Sequence, residues 1–380
     1  MAEDDYTLTD MAGVYLLPHS RAYMFWTGHW VGAVPGPTPV PIMVARALGG
    51  TLTYVAVFVV CWGSLNGIMH GSGTNDMPMN LIIISCSISS VHKYCVYTNQ
   101  EQGLGRLGRW MKRVSNREKK NKIPKTITDH ILKVCLLIFY YSGTLAAFML
   151  LTKLALTGTT YNVLVPGLEN VLLLKLAIAL SFMSLGFEVV VDALILMNSL
   201  FTFRRELMRS FEEWRKLNFD SENPNQYKEE LKERVQKHIE LLTIFQDLRE
   251  FNNSMFGYQV FAIVFTTCAL LYGMAKETEN SHKVFVQTMP TATASFLEFF
   301  ILCWCGEDIK FGFEQIHRSI YDTNWYEASL EDKKSMTIVL EFSKNPIILT
   351  GFTVFKANLE TFVESMRQSF SLYTILSEMV

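Results

Sequence analysis

The chain has 380 residues, 49% of them hydrophobic and 18% charged, with a net charge of −2. Near-neutrality leaves nucleic acid without an electrostatic partner, and the absence of Gly-x-Ser-x-Gly, His-Glu-x-x-His and Walker-type loops removes the usual starting points for hydrolytic or nucleotide chemistry. A charged fraction below the roughly 25% of soluble domains, with the apolar residues gathered into runs, points to a lipid bilayer as solvent.

"MAEDDYTLTD" opens the chain, acidic where a secretory signal would be basic and then apolar. Residues 1–40 therefore read as a cytosolic segment, closing on the breaker-rich "VPGPTPVP". A membrane helix needs about 20 mainly apolar residues. Candidate spans follow at 41–65, 79–97, 131–156, 171–201, 255–275, 289–305 and 345–376. Basic residues then assign the sides. Arg106, Arg109, Lys112, Arg113, Arg117, Lys119, Lys120, Lys122 and Lys125 separate the second and third spans. Arg204, Arg205, Arg209 and Arg215 separate the fourth and fifth, and Lys310, Arg318, Lys333 and Lys334 follow the sixth, while the alternate loops are nearly bare. Lys/Arg-rich loops stay in the cytosol. The expected fold is an all-α membrane protein of seven transmembrane helices, N-terminus cytosolic and C-terminus extracellular. Helices 1–4 occupy 41–200, a cytosolic helical extension 201–254, and helices 5–7 the remainder, 255–380. In that orientation the sequon Asn252-Asn253-Ser254 lies inside and carries no sugar.

Residues 201–254 read as a helical hairpin broken at "DSENPNQ", with Leu231, Val235, Ile239, Leu242 and Phe245 on one apolar face of the second arm. Such a hairpin either extends two membrane helices into solvent or docks neighbouring subunits. All seven cysteines (Cys61, Cys86, Cys95, Cys135, Cys268, Cys303 and Cys305) lie in or beside apolar runs, as buried free thiols do. Cys303-Trp304-Cys305 lacks a second ligand pair at metal-site spacing, and no metal or cofactor is expected.

The last span is unlike the others. Lys356, Glu360, Glu364, Arg367, Ser371, Thr374 and Glu378 recur at helical spacing and form one polar stripe. Four charges facing lipid would cost on the order of 10 kcal/mol, so the stripe must meet protein, partners or water. It can line a water-filled path, or it can form a buried ladder in which Lys356/Glu360 and Glu364/Arg367 pair. Glu188 and Asp192 on the fourth span lack a histidine at ligating distance and read as hydrogen-bonding groups; His92-Lys93 reads as interfacial snorkelling. The outer halves of the helices offer aromatics and small hydroxyls: Tyr140, Tyr141, Thr144 and Phe148 on the third span, Phe182 and Met183 on the fourth, Thr291, Ser295 and Phe296 on the sixth. That mixture suits either helix packing or a pocket for a small apolar molecule.

The stretch from "CWCGEDIKFGFEQIHRSIYD" through Trp325, Lys333-Lys334 and Pro346 to Ser371, Tyr373 and Leu376 resembles the sixth and seventh helices of insect odorant receptors. The resemblance implies an odour-tuning subunit of a heteromeric, odour-gated, non-selective cation channel, assembled with a co-receptor as a tetramer in the plasma membrane of olfactory sensory neurons. It implies a small volatile ligand bound between helices 2, 3, 4 and 6, a pore lined by the last helix, and an anchor of subunit contacts at the cytosolic helix ends. By the same carry-over Leu376 stands at the hydrophobic gate and Val380 near the outer constriction; the stripe, read as a water-filled path, adds Ser371 and Thr374 along it and Glu378 near its outer mouth. Glu378 departs from the small or basic ending usual in the family. Other readings of seven spans are a gustatory-type receptor of the same superfamily, a G-protein-coupled receptor or a transporter; the "SLYTIL" ending speaks against the first and the orientation against the second.

Overall fold

The computed structural model describes residues 77–120, 195–219, 224–276, 281–344 and 347–379, parts of 54–69, and positions 134, 137 and 141. Most of the first, third and fourth spans lies outside the described residues. The elements are helices α1 Met77–Asn99, α2 Glu101–Lys120, α3 over 195–215, α4 Pro224–Lys276 and α5 Ser281–Tyr321. A 3-10 turn at Trp325–Glu327, helix α6 Leu330–Ser343, a hairpin of β1 Thr350–Gly351 and β2 Phe355–Lys356, and helix α7 Leu359–Met379 complete them.

The break expected in the 201–254 hairpin falls between α3 and α4, with Pro224 as the first residue of α4, where proline's missing N–H would have no helical partner anyway. From there α4 runs without interruption for 53 residues, a length of about 80 Å. One window within Tyr227–Ala275 is apolar and long enough to cross a bilayer. Since the hydrocarbon core is only about 30 Å thick, the fifth span and the second arm of the extension are one rod. The same holds for α5, whose 41 residues join the sixth span to its charged continuation.

The basic stretch after the second span is a helix, α2, where charge alone suggests a loop. Leu104, Leu107, Trp110, Met111 and Val114 recur at helical spacing and are all buried, which gives α2 one apolar face and one basic face. It runs antiparallel to α4: Gln100 donates to the Glu250 carbonyl, Arg106 pairs with Asp247 and Arg113 with Glu240. On α4 the buried side carries Leu231, His238, Leu241, Phe245 and Leu248. Ile239, expected on that face, is exposed instead, because at 100° per residue it falls about 160–180° from Leu241 and Leu248, on the far side of the helix. Where α2, α3, α4 and α5 converge, Phe203 packs on Trp110, Phe245 and Phe313 with ring centroids 6.1, 5.5 and 6.2 Å away. Each fully buried ring of this kind contributes about 1.5–3 kcal/mol.

The last span departs most from expectation. It is not one helix from 345: Thr350–Lys356 folds back as an antiparallel hairpin, Thr350 opposite Lys356 and Gly351 opposite Phe355. Lys356 therefore lies on a strand rather than on the helix. The turn holds Phe352 and Thr353 at φ 47° and 61°, left-handed conformations that cost a non-glycine residue about 1–3 kcal/mol. Asn253 of α4 holds the turn in place. Its carbonyl accepts from the Phe352 N–H at 2.9 Å, and its Oδ1 accepts from the Thr353 N–H at 2.9 Å and the Thr350 hydroxyl at 3.4 Å. Gly257, one turn along α4, lets the Phe352 ring lie down: a Cβ there would stand 2.5 Å from it. Asn358 then caps α7, accepting from the Thr361 N–H at 2.9 Å.

Candidate functional site

Helix α7 has two unlike sides. Ser365 and Ser369 are buried against the rest of the chain, their hydroxyls donating back to the Thr361 and Ser365 carbonyls at 2.7 Å. Phe362 packs on the same side, 5.7 Å from Phe299 and 5.5 Å from Phe300 of α5. The polar stripe is on the other side. Glu360, Glu364, Arg367, Ser371, Thr374 and Glu378 are all exposed, as is Lys356 before the helix. On an ideal wheel the six helical members fall within a sector of about 80°. Of the expected ladder, Arg367 donates to Glu364 at 2.9 Å with both side chains open; the Lys356–Glu360 pair does not share a helix. The stripe is thus turned away from its own chain. Leu376 is 38% exposed and Ile375 53%, but on the wheel Ile375 stands about 60° from Glu360 and Leu376 about 160°. Val380 lies outside the described residues.

A second polar feature sits between α1, α4 and α5. Lys93, expected to snorkel, is instead 5% exposed and lies 3.5 Å from the carboxylate of Glu298, itself 3% exposed. Gln259 donates to the other Glu298 oxygen at 3.3 Å. Next to it His92 stacks on Tyr258 with centroids 5.0 Å apart and shares a 2.8 Å hydrogen bond with Ser254. The cost of desolvating a lysine in the protein interior explains the pairing. Sequence reasoning missed it because its partners come from helices more than 150 residues apart in the chain.

Of the expected pocket residues, Ser295 and Phe296 are half-buried on α5, with the backbone of Thr291 one turn before Ser295. Tyr141 is 65% exposed in the single chain. Tyr140, Thr144, Phe148, Phe182 and Met183 lie outside the described residues, as do Glu188 and Asp192. Among the thiols, Cys268, Cys303 and Cys305 are buried as expected, Cys61 is half-buried, and Cys95 is exposed.

Beyond the membrane spans, ion pairs join α2 to α3 and α4. Buried Glu206 accepts from both Arg117 and Arg209, and Glu118 from Arg205 and Arg209. The hydrogen bond and charge of Asp247 raise the Arg106 pKa further above its ordinary value. Asn252 of the sequon is buried in α4, 1% exposed, a position no glycan could occupy.

Comparison with known proteins converges on one group. The family profile described as 7tm Odorant receptor matches residues 73–370. Curated relatives from Drosophila melanogaster include Odorant receptor 82a, 28% identical over 176 residues that cover 45% of this chain and 43% of that protein. Odorant receptor 85f is 21% identical over 154 residues, 38% of this chain and 37% of that protein; Odorant receptor 2a is 26% identical over 98 residues, 26% and 25%. The chain thus aligns with less than half the length of each of these relatives. In three dimensions it is similar to the insect olfactory receptor OR5 from Machilis hrabei in complex with eugenol, with a TM-score of 0.73 at 14% identity over 95% of this chain and 97% of that one. At that identity the likeness speaks for the fold, a seven-transmembrane all-α bundle. With the profile running from the second span into the final helix, the chain belongs to the 7tm odorant receptor family.

Proposed function

We propose that this odorant receptor is the tuning subunit of a heteromeric, odour-gated, non-selective cation channel, assembled with a co-receptor as a tetramer in the plasma membrane of olfactory sensory neurons. The observation that carries the reading is the outward stripe on α7: every polar member is exposed while the opposite side packs on the chain itself. Four such chains or their co-receptor equivalents, arranged with α7 inward, would enclose a hydrated path. Ser371 and Thr374 would line it, Glu378 and Val380 would stand at the mouth, and Ile375, nearer the path than the resemblance-implied Leu376, would supply an apolar constriction that dewets when closed. The N-terminus is cytosolic and the C-terminus outside, a disposition supported by the basic side of α2 and the charged ends of α4 and α5. The contacts of 201–254 with α2 and α5 belong to the cytosolic anchor.

The ligand is a small volatile molecule in the outer half, among helices 2, 3, 4 and 6, with Ser295, Phe296, Thr291, Tyr140, Tyr141, Thr144, Phe148, Phe182 and Met183 as its surroundings. The Machilis hrabei receptor's complex with eugenol supports a small-molecule ligand in this fold. Binding gates the path only to the extent that the open form binds the ligand more tightly. The test is electrical. In cells expressing the chain with its co-receptor, odorants should evoke cation currents, and Glu378→Lys should lower unitary conductance or alter divalent block. Currents carried equally well by the co-receptor alone, or permeation and block untouched by Glu378→Lys, would overturn the reading.

A further inference from the structure

The buried pair Lys93–Glu298 borders a cavity of about 30 Å³ between α1, α4 and α5, lined also by Gln259, Ser89, Thr266 and Ser295. That is room for about one water-sized group. The lining is unusual for a membrane bundle: a cation and an amide that donate, a carboxylate that accepts, and hydroxyls that do either. The direct contacts are long, 3.5 Å from Lys93 Nζ to Glu298 and 3.3 Å from Gln259. A buried ion pair repays its desolvation only when further hydrogen bonds complete both partners. One oxygen in the cavity would add a further hydrogen bond to the pair.

We infer that this cavity is the head-group site of the odorant pocket and takes a neutral hydroxyl, so that the favoured ligands are volatile aliphatic alcohols rather than hydrocarbons. Ser295 connects the two regions: it lines the cavity and belongs to the proposed pocket, and the backbone of Thr291 lies one turn further along the same face of α5. A hydroxyl accepts from Lys93 and donates to Glu298. A ketone can only accept, an ammonium is repelled by Lys93, and a carboxylate by Glu298. An alkane leaves every polar group as it was. Without ligand, water supplies the same oxygen. The inference deepens the proposed ligand role and is independent of whether the chain conducts ions.

The test is binding to the full-length chain in lipid nanodiscs, read as thermal stabilisation across titrations of 1-octanol, 2-octanone and n-octane. The expected order is octanol, octanone, octane, with octanol at least about tenfold tighter than octane, as for a hydrogen bond to a charged group. Ser89→Ala and Ser295→Ala, which keep the ion pair, should narrow that gap, and the double replacement Lys93→Met/Glu298→Leu should abolish it. If the double variant does not fold, the two serine variants decide. Equal binding of octanol and octane, no binding of octanol, or a gap unchanged in the serine variants overturns the inference and leaves the cavity to water alone. Odour-gated currents that persist alongside such a result would leave the channel reading intact, while octanol-selective binding without currents would sink the channel reading only.

Discussion

Gly306 lies where α5 passes the start of α7, and a Cβ built there would overlap the Ala357 carbonyl oxygen and stand 2.7 Å from the Ala357 Cβ. Backbone cannot yield as a side-chain tip can, so Gly306→Ala should displace the hairpin or the first turn of α7, at a cost of about 1–3 kcal/mol. The purified chain should melt several degrees lower, and an unchanged melting temperature would show that the approach is looser than it stands. His238 makes a different residue-scale case. It is 6% exposed, its Nδ1 has no hydrogen-bond partner among the described residues, and burial pushes its pKa below the ordinary 6.5. Above pH 6.5 both folded and unfolded chains hold it neutral. As pH falls through 6.5 the unfolded chain takes the proton first, so stability declines until pH passes the folded pKa. Between pH 7 and 5 the melting temperature of His238→Leu should therefore fall less than that of the parent chain; parallel slopes would assign the acid sensitivity to other groups.

Helix α7 shows what a period can and cannot reveal. The stripe was legible because recurrence every three or four residues survives in any fold that keeps the helix, and all its helical members emerge on one exposed side. Its start was not legible. "IILTGFTVF" is as apolar as a span, and the turn places Phe and Thr at left-handed positions where glycine or asparagine would have signalled it. The latch, Asn253, lies about 100 positions away, as does the partner of Lys93 at far greater separation, and such pairings leave no local trace. The α2 helix was hidden for another reason: averaging hydropathy over a helix with one apolar and one basic face returns a polar loop. On the proposed channel reading, the stripe also constrains the gate. On a straight helix centred on Ser371 and Glu378, Ile375 faces the path more nearly than Leu376, the position implied by family resemblance. With a charged thiol reagent applied from outside, Ile375→Cys currents should be modified and Leu376→Cys currents largely spared. The reverse pattern would mean that α7 turns by roughly a quarter-circle or more in the assembly.

At the scale of the whole molecule, a single chain is incomplete as a membrane protein. Glu360, Glu364, Arg367 and Glu378 project from the side of α7 that its own helices leave open, and each charge near mid-bilayer costs about 2.5–3.5 kcal/mol if lipid covers it. Partial snorkelling from the ends of a helix about 30 Å long lessens this but cannot remove it for the central residues. An assembly that turns the stripe onto shared water removes the penalty without changing one contact inside the chain. Surface delivery should therefore depend on co-expression with the proposed co-receptor, with the lone chain retained inside the cell. The triple replacement Glu360→Leu/Glu364→Leu/Arg367→Leu separates the cause from its consequence. By making the open side lipid-compatible it should raise surface staining of the lone chain several-fold, and in the co-expressed assembly it should reduce odour-evoked conductance. If the triple variant stays inside the cell when alone yet conducts normally in the complex, the stripe governs neither lipid exclusion nor permeation, and the incompleteness of the single chain must lie in the exposed apolar residues of the half proposed to be cytosolic, among them Leu330, Ile338 and Phe342.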